Sequence, residues 1–149
     1  MIFSILGLDH VVLRVHDVPG MTRFYCDALG CNVEKVQPAL GLTQLRAGRT
    51  LIDLVDAVGS AGRQGGPAPE RQGHNMDHFC LRIEPFDAPA IAAHLKAHGA
   101  EPSEVLSRYG ADGQGPSIYI ADPEGNTVEL KGPPFPATVA GAGAVTGGG

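Results

Sequence analysis

One stretch of this chain occurs twice. Leu8-Asp9-His10-Val11-Val12-Leu13-Arg14-Val15 returns, almost residue for residue, as Met76-Asp77-His78-Phe79-Cys80-Leu81-Arg82-Ile83. Each copy reads apolar-Asp-His, then alternates, with an Arg four residues after the His. A strand directs successive side chains to opposite faces. Val11, Leu13 and Val15 therefore share one face of the first copy, and His10, Val12 and Arg14 the other. In the second copy Phe79, Leu81 and Ile83 form the apolar face, and His78, Cys80 and Arg82 the opposite one. Two strands that each aim a His away from the core point to two half-sites of one centre.

The rest of the chain repeats around these strands. After 8–15, Asp17-Val18-Pro19-Gly20 starts a helix over roughly 19–29, with Pro in the first turn. Met21, Phe24, Tyr25 and Leu29 give it a core face, and Gly30 stops it. Strands follow at about 31–37, 41–47 and 50–56, turning at Gly41 and Gly48-Arg49. Residues 57–75 are rich in Gly, Pro and Ala and read as a linker or mobile loop. A strand over 76–83 and a helix over about 87–98 then restart the order, with Ile91, Ala92 and Leu95 inward and Gly99 as the stop. Residues 101–115 read as irregular or extended chain. Strands at about 116–121 and 126–131 flank a turn at Asp122-Pro123-Glu124-Gly125-Asn126. Residues 133–149 are of low complexity and predict a disordered tail, with Phe135 the one residue that could anchor. One domain over 1–132 is expected, with module one at 5–57, a linker at 58–75 and module two at 76–132.

Each module also closes on a strand with one carboxylate between apolar residues. Asp53 stands between Ile52 and Leu54, and Glu129 between Val128 and Leu130. Two imidazoles with one or two carboxylates suit a divalent ion: Ni, Zn, Mn, Fe or Co. Two His and one carboxylate leave coordination positions open for a substrate.

With these pieces in view, the chain resembles the vicinal oxygen chelate superfamily, which includes glyoxalase I, extradiol dioxygenases and the fosfomycin and bleomycin resistance proteins. The resemblance covers residues 5–132. It rests on L-D-H-V-V-L-R-V, F-Y-C-D-A-L-G, M-D-H-F-C-L-R-I, L-K-A-H-G and S-I-Y-I-A-D-P-E-G-N-T-V-E-L. It implies an α+β fold in which two β-α-β-β-β modules form a cupped mixed sheet with a metal inside the cup. The family's ligand positions fall on His10, His78 and Glu129, with Asp53 where glyoxalase I carries a fourth ligand. The resemblance further implies a homodimer whose sites are built across modules.

The implied activity is that of a divalent-metal-dependent glyoxalase-like enzyme, a lyase or isomerase acting on a small oxygenated metabolite. Glu129, Asp53 and Tyr119 are its catalytic candidates, and Arg14 and Arg82 its substrate-binding ones. The alternative for Asp53 is an ion pair with Arg14 or Arg82. Departures from each branch keep two further readings open: an Fe(II) extradiol-type dioxygenase and a metal-free binding module. Asp53 is a methylene shorter than the Glu of glyoxalase I. Gly110 stands where a dioxygenase carries its acid–base His, and Val12 and Tyr109 where fosfomycin transferases carry Thr and Lys.

The remaining chemistry-bearing residues read as structural. His94 and His98 have helical i, i+4 spacing, with His94 on a solvated face and His98 at the helix C-terminus, where positive charge is favoured. His16 is a surface residue, His74 borders the loop, and Cys80 is a small buried thiol. The net charge of −5 without a basic run argues against nucleic acid. Three cysteines with no C-x-x-C read as reduced thiols. Residues 1–7 lack the features of a signal peptide, and no apolar run nears the roughly 18 residues of a membrane span. A cytoplasmic protein is expected.

Overall fold

Alternating strands and two capped helices account for the architecture. A computed structural model describes residues 1–2, 4–74 and 76–136. The first module runs β1 (His10–Val15), α1 (Val18–Arg23), β2 (Asn32–Gln37), β3 (Leu42–Ala47) and β4 (Thr50–Asp56). The second runs β5 (Phe79–Arg82), α2 (Ala88–Ala97), β6 (Leu106–Gly110), β7 (Gly113–Ala121) and β8 (Thr127–Lys131). Each module forms a mixed four-stranded sheet, in the orders β1-β4-β3-β2 and β5-β8-β7-β6. The opening strand of each lies parallel to the closing one, so β1 pairs with β4 and β5 with β8. The β-α-β-β-β repeat expected from the sequence is thus present twice.

The helix starts follow from their caps. Asp17 accepts from the Gly20 amide at 2.9 Å and Asp87 from the Ala90 amide at 3.1 Å, each followed by a Pro in the first turn. Beyond Arg23 the first helix widens into a π-helical turn over Phe24–Ala28 and ends at Gly30, whose φ of 74° suits only Gly without strain.

The apolar faces of both sheets and both helices bury into one core. Leu13, Val15, Met21, Tyr25 and Leu54 of module one pack in the same cluster as Leu95, Ile118, Val128 and Leu130 of module two. One buried polar link crosses it: Tyr25 Oη donates to Asp122 Oδ2 at 2.8 Å. Asp122 also accepts from the Glu124 and Asn126 amides and from Asn126 Nδ2, which closes the turn before β8. Burial, with the Asp122 charge adding to it, holds the Tyr25 phenol well above its ordinary range.

Three local expectations change. Residues 101–115 are not irregular throughout, because β6 pairs antiparallel with β7 there. The hairpin signal was hidden by a two-residue turn, Ala111-Asp112, inside a Gly-rich run. The strand at 76–83 shortens to Phe79–Arg82, which leaves His78 just ahead of it. Within the expected linker, Gly62–Gly65 forms a 3₁₀ turn. Residues 133–136 carry no regular element, although the Phe135 amide donates to the Gln114 carbonyl at 2.7 Å. The expectation of disorder for 137–149 falls outside the described residues. Among the described residues no helix is long and apolar enough to cross a membrane.

Candidate metal centre

In module two the parallel pairing sets Cys80 beside Glu129, and β7 sets Tyr119 on its other side. Paired residues share a sheet face, so His78, Cys80, Tyr119 and Glu129 gather on the face away from the core. His78 Nε2 lies 3.1 Å from Glu129 Oε2. The other carboxylate oxygen, Oε1, accepts from Ser117 Oγ at 2.5 Å. Arg108 Nη1 donates to that same hydroxyl oxygen at 3.1 Å, and its guanidinium lies 4.3 Å over the Tyr119 ring. The Tyr119 ring meets His78 edge-on at 5.2 Å. Glu129, 6% exposed, is therefore oriented by a relay from Arg108 through Ser117, with Oε2 turned to the imidazole.

Module one repeats the plan with different support. Register sets Val12 beside Asp53 on one side and Gln44 on the other. Gln44 Nε2 donates to Asp53 Oδ2 at 3.0 Å. Asp53 is 3% exposed, and its Oδ1 has no hydrogen-bond partner among the described residues. A buried carboxylate oxygen without a donor is costly unless something absent from the chain satisfies it. That orphaned oxygen fits a cation.

The two histidines are prepared in the same way. His10 Nδ1 lies 2.6 Å from Asp9 Oδ1, and His78 Nδ1 lies 2.7 Å from Asp77 Oδ2. A carboxylate on Nδ1 fixes the ring and leaves the Nε2 lone pair for a metal, as metal-binding histidines are commonly arranged. The Asp9 hydrogen bond raises the His10 pKa, and the charges of Asp53 and Asp9 act in the same direction. The Asp-His contact thus recurs in both modules, although the sequence drew attention only to its His.

The four ligand candidates do not meet within one chain. Among the described residues no three His, Cys, Asp or Glu side chains converge on a point that could hold a metal ion. His10 and Asp53 line one cavity with Val12, Arg14 and Gly65, and Glu129 lines another with Cys80, Arg82 and Lys131. The chain presents two half-sites on two open sheet faces.

The arginines are committed to protein partners. Arg14 donates to the carbonyls of Gly62, Gly65 and Gly66 at 2.8, 3.1 and 2.6 Å. It clamps the 3₁₀ turn over the His10 face, and a Cβ at Gly65 would come within 2.6 Å of its Nε. Arg82 bonds Glu84 at 2.8 Å and Asp112 at 3.2 Å. Neither arginine pairs with Asp53.

Other placements agree only in part with the sequence reading. His94 is exposed as expected, and its Nε2 also sits 2.9 Å from the Ala28 carbonyl, bridging α2 to the end of the first helix. Cys80 is exposed rather than buried. Burial of the thiol itself, with Glu129 adding to it, pushes its pKa up to about 11. His16 is a surface residue as expected. His74 lies in a separate cavity with Arg71 and Asp77. Sequence reasoning missed Gln44, Ser117 and Arg108. Ser117 and Tyr119 alternate with Ile118 and Ile120, and that alternation was the available signal.

Two β-α-β-β-β modules, each with a His and a carboxylate on its open face, define a class of duplicated-sheet proteins built around a cup. The model of the Glyoxalase/Bleomycin resistance protein/Dioxygenase superfamily matches residues 7–130, and the chain belongs to that superfamily. It is 33% identical over 129 residues to the glyoxalase domain-containing protein RDO1 of Mycosarcoma maydis, covering 86% of this chain and 69% of that protein. It is 30% identical over 130 residues to biphenyl-2,3-diol 1,2-dioxygenase 3 of Rhodococcus globerulus. That match covers 83% of this chain but only 62% of the dioxygenase, so the chain spans less than two thirds of that relative. Among solved structures, a virulence protein of Salmonella typhimurium superposes with a TM-score of 0.71 at 25% identity, over 88% of this chain and 99% of that one.

Proposed function

We propose that this chain is a divalent-metal-dependent glyoxalase-like enzyme, a lyase or isomerase of a small oxygenated metabolite. We further propose that two copies complete each centre. The observation that carries the reading is the repeated half-site: a His fixed at Nδ1 by the preceding Asp, facing one buried carboxylate, in each module. Half-sites that do not converge within a chain are completed in a two-fold dimer, where each patch meets its counterpart. His10 and Asp53 of one copy would then face His78 and Glu129 of the other.

In that centre the ion would be held by both Nε2 atoms, by Glu129 Oε2 and by Asp53 Oδ1. Bound there, it supplies Lewis-acid polarisation of two adjacent substrate oxygens. Ser117 fixes Glu129 Oε1 and leaves Oε2, which would ligate the ion and, once released from it, could take up a substrate proton. Gln44 fixes Asp53 Oδ2 and leaves Oδ1 for the same centre. Tyr119, held under Arg108, gives its hydroxyl to a substrate oxygen. Arg14 acts through the turn it clamps, which forms a lip beside the His10 cavity. The free thiols of Cys26, Cys31 and Cys80 suit a reducing, cytoplasmic setting.

The relative named as a biphenyl-diol dioxygenase favours a second reading, ring opening with iron and oxygen. Against it, Gly110 stands where a dioxygenase carries its acid–base His, so this chain lacks that proton carrier. Elemental analysis of the purified protein tests both readings. Bound nickel, zinc, cobalt or manganese, lost in His10→Ala and in Glu129→Ala, supports the lyase reading. Iron with oxygen uptake on catechols supports the second. Protein that holds none of these ions after dialysis against each overturns both in favour of a metal-free binding module.

A further inference from the structure

Lys131 is a buried cation with no carboxylate partner among the described residues. It closes β8, two residues after Glu129 and on the same face, and it is 5% exposed. Its Nζ donates to the Gly113 carbonyl at 2.9 Å. No carboxylate lies within 4.0 Å of it among the described residues. A lysine is almost never this buried unless paired. Arg82, opposite Lys131 in the ladder, is already matched by Asp112 and Glu84.

The surroundings are shaped to hold this side chain. Gly110 lies against its stem, where an added Cβ would come within 2.8 Å of Lys131 Cε, and Gly115 lies close to both Lys131 Nζ and the Pro133 carbonyl. The cavity it lines, of about 240 Å³, also contains Glu129, Cys80 and Tyr109. The half of the centre supplied by this copy thus sets a buried ammonium and a carboxylate in one cavity.

We propose that Lys131 is the anion-binding residue of the centre and that the substrate is a small carboxylic acid. Its carboxylate would accept from Lys131 Nζ while two of its adjacent oxygens face the ion, as in a 2-hydroxy or 2-oxo acid. The inference rests on the metal reading above, because Glu129 alone would repel such a ligand and a divalent ion reverses that local charge. It assigns to Lys131 the charge recognition that Arg82 and Arg14, already bound to protein groups, do not provide.

Oxalate is the probe, being a dianion with adjacent oxygens that chelates divalent ions. It is titrated calorimetrically into Mn(II)-loaded wild type, Lys131→Met and Lys131→Gln, after Mn(II) affinity is measured for all three. Gln keeps an N–H donor, one atom shorter in reach, and removes the charge, so it remains informative if Met impairs folding. We expect all three to bind Mn(II) within about threefold of one another. Oxalate should bind both variants about 10- to 100-fold more weakly, the range for losing one bond to a charged group. Oxalate affinity unchanged in Lys131→Gln, with Mn(II) bound, overturns the role of Lys131 and leaves the metal reading standing. If the wild type takes up no Mn(II), the same titration is run on its Ni(II), Zn(II) or Co(II) form, and a wild type that binds none of the four overturns the metal reading and this inference with it.

Discussion

The two modules start from nearly the same eight residues and end with unequal half-sites. In module two, His78 already touches Glu129, and Arg108 and Ser117 fix the carboxylate from behind. In module one, Asp53 is tied only through Gln44 and keeps an orphaned Oδ1, while Arg14 builds a lip of backbone carbonyls beside it. Duplication reproduces the backbone and the Asp-His unit. The residues behind the carboxylates diverge, and they decide which half is preorganised. On the proposed function, module two would be the primary binding half and module one the half that completes the centre.

The largest expected effect concerns what joins the halves. Asp122→Ala removes the acceptor of four hydrogen bonds, including the buried one from Tyr25. It should destabilise the fold by about 3–5 kcal/mol, lowering the thermal midpoint by roughly 10 °C. Thermal denaturation checks this, and two separate transitions in the wild type would break the picture of one shared core.

Ligand substitutions come next. Glu129→Gln and His78→Ala should weaken metal binding by about 100-fold or more, and Asp53→Asn by about 10-fold. Metal titration of the three variants measures the asymmetry, and equal losses at Glu129 and Asp53 would erase it. Ser117→Ala, which frees Glu129 Oε1, should cost about 10-fold in metal affinity. The corresponding change in module one, Gln44→Leu, should cost less.

The smallest effect is on thiol chemistry. Burial pushes the Cys31 thiol up to about 11, with Cys26 adding to it, so Cys31 should resist alkylation at pH 8 in the native protein. Cys80 shares that value partly because Glu129 faces it. Glu129→Gln should therefore speed Cys80 labelling a few-fold and leave Cys31 unchanged, which peptide-resolved alkylation rates would show.

Most of the fold was legible because alternation and caps are local signals. The repeat exposed both modules, and Asp17, Gly30 and Gly99 marked helix ends close to where they fall. β6 was not legible, since its partner register depends on β7 rather than on its own composition. The candidate site was legible as four ligands. It was not legible as a geometry, because whether two strands of one chain face each other depends on how the modules pack. Nor could local sequence disclose the partners of Arg14, 48 to 52 residues away, or the bond from Tyr25 to Asp122, 97 residues on.

The central claim is that each centre joins the His10 half of one copy to the His78 half of another. Co-refolding His10→Ala with His78→Ala tests it directly, with metal content as the readout. Each variant alone should hold almost no metal. In a random mixture half of the dimers pair one variant with the other, and each such dimer regains one intact centre of two, so about a quarter of the wild-type metal content should return. A mixture as empty as its components would contradict the account, since centres built within single chains cannot be restored by mixing.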